Sequence, residues 1–288
     1  MTLQQPHWRP YREIHTGHHH TISGNVNIAQ GVWSPQLRNH RDIVVYLPPS
    51  YANSQRHYPV LYMQDGQNLF DAATSFSGEW HIDEIMEKLG HEDGIEAIIV
   101  AIPNMGAERV SEYSPFRDKK HGGGRGNKYV HFLVDTLKPI IDRDFRTRPE
   151  RKFTGIMGSS MGGLISLYAF FHNPDTFGYV GAMSTSLWFA EGAMLEYLKS
   201  VPFRGGRIYM DIGTREYGRA TPTDESPRTY SRRLYAKTRR MQRVLVKKGY
   251  RPTRTLVYVE EKWAGHHEPA WTRRIPHAFR YFFSPFSE

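Results

Sequence analysis

The chain has 288 residues, no cysteine and a formal net charge of +9. Its length and 39% apolar content suffice to bury a core without covalent staples, and the missing cysteine excludes a thiol nucleophile, a thiolate zinc site and a disulfide framework. The opening MTLQQPHWRPYREIH lacks the basic start, apolar stretch and cleavage site of a signal peptide, and no apolar run is long enough to span a bilayer. A soluble, cytoplasmic protein with no membrane partner is therefore expected.

The predicted elements alternate. Strands are expected at 42–47 (DIVVYL), 59–63 and 97–102, the last with the continuous apolar character of a strand buried on both faces. Further strands follow at 153–157, 179–183, 207–212 and 255–259. Helices are expected at 80–89, 129–142, 161–172, roughly 230–248, and 271–282. Strands alternating with helices predict an α/β fold, a mostly parallel central sheet with helices on both faces. The early strands, joined without helices, predict an antiparallel edge. No linker or repeat interrupts the pattern, so residues 1–288 are read as one domain, with 1–40 an N-terminal extension or edge strands.

The segment Gly158-Ser159-Ser160-Met161-Gly162 matches G-x-S-x-G and lies between an apolar strand (FTGIM) and an apolar helix (MGGLISLYAFF). That setting is what a nucleophile elbow needs. The turn is so tight that side chains two before and two after the serine would clash, and glycine removes them. Ser160 is the candidate nucleophile, and the backbone N–H of Met161, at a helix N-terminus, is a candidate oxyanion donor. The plain alternative is a glycine-rich packing turn.

A serine hydroxyl needs a base, usually histidine, oriented by a carboxylate. In this fold the chain order is serine, acid, histidine. After residue 250 only His266, His267 and His277 remain, and the first two fall in the loop past the strand TLVYV. Glu216 follows the strand RIYMDI. Asp211, inside that strand, ranks second as the acid, and Asp224 and Glu225 are more remote.

In DIVVYLPPSY, YPVLYMQDGQNLFD, IIVAIPN, RVSEYSPF, FTGIMGSSMGGLISLYAF, GTREYG and GHHEPAW, the chain resembles the esterase D-like family of α/β-hydrolases. That group includes enterochelin esterases, feruloyl esterases, S-formylglutathione hydrolases and mycolyltransferases. The resemblance runs from about 41 to 283. It implies the α/β-hydrolase fold and a serine esterase with Ser160, Glu216 and His266 as triad, His267 being the intervening residue of H-x-E-x-x-W. It implies a second oxyanion donor near Gly66 or Gln67, in QDGQNLF. Gln64 stands where many relatives have histidine. The match also raises Trp188, Trp80 and Tyr113 as substrate contacts, with buried packing as the alternative for each. It implies a small-molecule or carbohydrate-linked ester substrate and no metal or cofactor. Acyl transfer to an alcohol and hydrolysis of a siderophore trilactone are the rival activities.

Three features point elsewhere. Residues 228–254 hold eleven Lys or Arg, which suggests a nucleic-acid surface or, more simply, the solvated face of an amphipathic helix with Leu234, Met241, Val244 and Leu245 inward. Aromatics are not interleaved as a stacking platform requires, so no nucleic-acid partner is expected. His18-His19-His20 makes a poor single metal site, because adjacent extended residues point apart. The run Gly122-Gly123-Gly124-Arg125-Gly126 lacks the G-K-S/T ending of a phosphate loop and is read as a mobile loop near the cleft.

Overall fold

The structure is a computed structural model that describes residues 5–283 except 18, 219, 220 and 222. Nine strands form one sheet: β1 (Trp8–Pro10), β2 (Asn25–Ser34), β3 (Asn39–Leu47), β4 (Val60–Gln64), β5 (Ile98–Ile102), β6 (Thr154–Ser159), β7 (Tyr179–Met183), β8 (Arg207–Gly213) and β9 (Leu256–Glu261). Their order across the sheet is β1-β2-β3-β5-β4-β6-β7-β8-β9. β1, β2, β3 and β5 pair antiparallel, and every pair from β5 to β9 is parallel. The expected mostly parallel sheet with an antiparallel edge is thus present. Residues 1–40 contribute two strands of that edge, β1 and β2, which the sequence pattern did not mark individually.

The helices are α1 (Tyr11–Ile14), α2 (Ile82–Asp93), α3 (Arg109–Glu112), α4 (Gly126–Phe132), α5 (Lys138–Asp144), α6 (Met161–His172), α7 (Ala193–Ser200), α8 (Pro227–Lys248) and α9 (Glu268–Phe283). Alternate side chains of each strand point to opposite faces. Val60 and Tyr62 join one core cluster with residues of α4, α5, α6, α7 and α8, while Leu61 and Met63 join another with residues of α2 and α9. Helices therefore cover both faces.

α8 begins at Ser226, whose Oγ accepts from the Thr229 N–H at 3.3 Å, an N-cap followed by Pro227. It buries Leu234, Thr238, Met241 and Leu245, so its basic residues form the solvated face of an amphipathic helix. No helix among the described residues is long and apolar enough to cross a membrane. At one edge of the sheet β1 is three residues long and ends in Pro10. At the other, β9 carries Glu260 and Glu261, which pair with Arg239 of α8 and with Arg273 and Arg274 of α9.

One buried ion pair ties the antiparallel edge to the loops beyond β5. Arg41 Nη2 of β3 donates to both carboxylate oxygens of Glu112 at 2.9 Å, and neither side chain is exposed. The guanidinium also lies over the rings of Phe132 and Tyr129, at 5.0 and 5.4 Å. Glu112→Ala would leave the cation buried without its counter-charge. The expected loss is about 3–5 kcal/mol of unfolding free energy, read from urea melts. The joint replacement Arg41→Met with Glu112→Leu strands no charge and should cost far less. Equal losses for the two variants would refute the pairing argument.

Candidate active site

Parallel register brings several strand ends to one edge of the sheet. Met63 lies beside Met157, Ser159 beside Met183, and Met183 beside Asp211. The loops after β4, β6, β7, β8 and β9 therefore open on the same side. In α/β sheets this carboxyl edge is where ligands bind.

Ser160 sits between β6 and α6 with φ 55° and ψ −119°, a conformation non-glycine residues rarely hold. Of the flanking glycines, Gly158 is sterically required. A Cβ at Gly158 would stand 2.7 Å from the Gly162 carbonyl carbon and 2.8 Å from Gln64 Cγ. The Ser160 N–H donates to the Met183 carbonyl at 2.9 Å, and the Ser186 N–H donates to the Ser160 carbonyl at 3.1 Å. The strained backbone is thus held from both sides. The half-exposed Ser160 Oγ is 3.0 Å from Ser186 Oγ. Met161 opens α6, where backbone N–H groups have no partner within the helix.

The loop after β4 is equally constrained. Asp65 is left-handed, at φ 56°, and its carboxylate takes a two-pronged contact from Arg109, at 2.7 and 2.8 Å, plus Asn104 Nδ2 at 2.7 Å. Its N–H donates to Tyr113 Oη at 3.0 Å. At Gly66 a Cβ would meet the Ile102 nitrogen at 2.5 Å, so only glycine fits against β5. Gln67 is fastened through Oε1, which accepts from the Asn104 N–H at 3.2 Å. A cleft of about 380 Å³ borders this loop, lined among others by Tyr11, His15, Phe70, Thr74 and Met105. Gln64 Oε1 accepts from Tyr129 Oη, so this side chain is part of the buried support.

The acid and histidine loops are laced together. The Thr214, Arg215 and His266 N–H groups donate to the carbonyls of Glu261, Ala264 and Glu216, each at 3.0 Å. His266 Nδ1 pairs with Glu216 Oε2. The other oxygen, Oε1, accepts from the Gly213 N–H at 2.7 Å and from Ser184 Oγ at 2.9 Å. The imidazole is flanked by Trp271, edge-on at 5.0 Å, and by Tyr217, stacked at 6.0 Å. His267 is exposed, and its carbonyl accepts from Ala270 and Trp271 at the start of α9. The doublet therefore divides into a histidine paired with Glu216 and one that starts a helix. His277 is exposed on α9.

Asp211, the second-ranked acid, is fully buried, and its carboxylate is engaged by other groups. Its Oδ1 accepts from the Ser184 N–H at 3.1 Å and its Oδ2 from Arg274 Nε at 3.0 Å. Burial pushes its carboxyl up to about 6, against the opposing pull of Arg274. Arg274 also donates to Ser184 Oγ at 3.2 Å, and Trp271 Nε1 donates to the same oxygen at 3.1 Å. Asp224 is exposed, and Glu225 pairs with Arg233 at 3.3 Å.

Trp188 is half-buried and meets the His121 ring at 5.4 Å. Trp80 and Tyr113, expected as substrate contacts, are 1% and 0% exposed. This corrects the expectation for both. Trp80 packs on Trp271 at 5.4 Å, and Tyr113 supports Asp65, so each braces a site loop from behind. Ser184, Ser186 and Arg274 were not anticipated. The run Ser184-Thr185-Ser186 just past β7 was the available signal for the two serines.

The features set aside also have places. The glycine run closes a short hairpin in which Arg117–Asp118 pairs with Gly122–Gly123, and Asp118 accepts from the Ala190 N–H at 3.1 Å. Of the three adjacent histidines, His18 lies outside the described residues, and His20 Nδ1 is 2.6 Å from Asp71 Oδ2. A basic groove of about 530 Å³ between α7 and α8, lined by Lys199, Arg240, Arg243, Lys247 and Lys248, contains none of the site residues.

The family model described as "Putative esterase" matches residues 34–282. The chain is 26% identical to the uncharacterized protein YbbA of Bacillus subtilis, over 88% of this chain and 97% of that one. It is 30% identical to an endo-1,4-beta-xylanase/feruloyl esterase of Xylanibacter ruminicola, over 55% of this chain and only 21% of that longer protein. The fold is similar to that of the enterobactin esterase FES of Shigella flexneri, solved in the presence of enterobactin. The TM-score is 0.70 at 20% identity, covering 92% of this chain and 61% of FES. With its sheet, its helices and this match over most of its length, the chain belongs to the family of that description, an esterase family of α/β-hydrolase fold.

Proposed function

We propose that this esterase is a serine carboxylic-ester hydrolase working through an acyl-enzyme on Ser160. The observation that carries the reading is the His266–Glu216 pair, set on the same sheet edge as the strained Ser160. Ser160 Oγ attacks the ester carbonyl while His266 Nε2 takes its proton. Glu216 holds the Nδ1–H, which fixes the tautomer and stabilises the imidazolium. The oxyanion is bound by the Met161 N–H and by N–H groups of Gly66 and Gln67. His266 then protonates the leaving alcohol, and water enters by the reverse of these steps. The contact between Ser160 and Ser186 holds the hydroxyl until substrate binds.

Ser184 and Arg274 act through Glu216. Ser184 Oγ donates to the acid while it accepts from Arg274 and Trp271, so its own proton is directed at Glu216. Arg274 is in turn held by Asp211 and Glu261. The acid thereby keeps one position.

A small-molecule or carbohydrate-linked ester is the substrate class, and Trp188 is the half-buried aromatic available beside it. The second reading is a siderophore trilactone. Likeness to an enterobactin esterase and the +9 charge, which draws anionic ferric complexes, favour it.

Ser160→Ala should end fluorophosphonate labelling and lower p-nitrophenyl acetate hydrolysis at least about 10⁴-fold. Persistence of either activity sinks the assignment. Ser184→Ala should lower kcat about tenfold with KM nearly unchanged, because it loosens the acid without touching substrate. A pure KM effect would remove Ser184 from this role. A panel of graded p-nitrophenyl esters, methyl ferulate, acetylated xylan and a ferric trilactone, run with and without a sugar acceptor, separates the substrate classes and hydrolysis from acyl transfer.

A further inference from the structure

Outside the catalytic edge, the start of α2 gathers an unusual set of groups. Glu79, His81 and Glu84 each present a ligand atom within 4.8 Å of the others. His81 Nδ1 lies 3.5 Å from Glu79 Oε2 and 3.6 Å from Glu84 Oε1. These separations are too long for good hydrogen bonds.

One carboxylate is also under-satisfied. The Glu79 side chain is only 3% exposed, and its Oε2 accepts from Thr21 Oγ1 at 2.9 Å, yet its Oε1 has no partner. Buried polar atoms are nearly always paired, and buried carboxylates in particular need a donor or a cation. Two acids and an imidazole converge here, and among the described residues no Lys or Arg forms an ion pair with Glu79 or Glu84.

We propose that Glu79, His81 and Glu84 form a binding site for a divalent transition cation that fastens the segment before α2 to the first turn of that helix. Two carboxylates and one imidazole nitrogen suit Mn²⁺ or Zn²⁺, whereas Mg²⁺ and Ca²⁺ favour sites made of oxygen alone. The exposed side of His81 leaves room for water to complete the coordination sphere. The ion takes no part in the ester chemistry. It steadies Trp80, which lies between two of its ligands and packs on Trp271, the edge neighbour of His266. Ser77 Oγ, in the same segment, donates to Glu268 at 2.6 Å and joins the segment to the start of α9.

The test is direct binding of Mn²⁺ to the full chain after chelator treatment, followed by the loss of the free-ion EPR signal, with Zn²⁺ and Mg²⁺ as competitors. One bound equivalent is expected, displaced by Zn²⁺ and not by Mg²⁺. Glu79→Gln and His81→Ala should each weaken binding at least about tenfold. His81 is half exposed, so its variant folds even where Glu79→Gln does not. Thermal melts should rise with Mn²⁺ for the wild type and not for the His81 variant. No binding to the stripped wild type overturns the proposal, and so does unchanged affinity in His81→Ala, which would move the ion to the N-terminal histidines.

Discussion

The parallel ladder is the constraint on which the site rests. Because β4, β6, β7, β8 and β9 run in one direction and in matched register, their carboxyl ends stop at the same level. Each following loop then delivers one part of the proposed site: Gly66 and Gln67, Ser160, Ser184 and Ser186, Glu216, and His266. No loop alone carries a site. A slip of one residue in any strand would turn its side chains to the other face and take that part away. The complete burial of β4, β6, β7 and β8 makes such a slip costly there.

The loops are stiffened by charge pairs placed behind them. Asp65 with Arg109 fixes the loop after β4. Arg274 with Asp211 and Glu261 ties α9 to β8 and β9 beneath the acid and histidine. These pairs are largely buried, where a carboxylate and a guanidinium hold each other in a narrow geometry rather than adding much net stability. Their effect is on position. Glu216 illustrates it: with one oxygen engaged by Gly213 and Ser184, only the other is left for His266.

Much of this was legible in the sequence because the relevant signals are local. The glycines around Ser160 follow from steric need at a tight turn, and GTREYG and GHHEPAW lie just past apolar runs that read as strands. The seven expected strands all appear, with ends shifted by a few residues. What escaped reading depends on distant contacts. β2 carries glutamine and glycine among its apolar residues and gains its place by pairing with β1 and β3. Arg274 looks like any surface helix arginine until α9 packs it against Asp211. Trp80 and Tyr113 were raised as substrate contacts by the family resemblance, and nothing local marks an aromatic as wholly enclosed. The helix expected at 80–89 begins instead at Ile82, because His81 adopts a left-handed conformation.

The sheet's two margins bear on how the protein behaves at high concentration. A long, flat, apolar strand at a margin invites a second chain to add to it. Here one margin is a three-residue strand ending in proline, which offers no donor at its last position. The other carries consecutive glutamates already engaged by arginines from two helices. Both borders are thus poor templates for strand addition. A parallel sheet assembled from distant segments folds slowly and exposes such borders for longer than most. In this chain the defence against fibre-like association is written into the same residues that end the sheet.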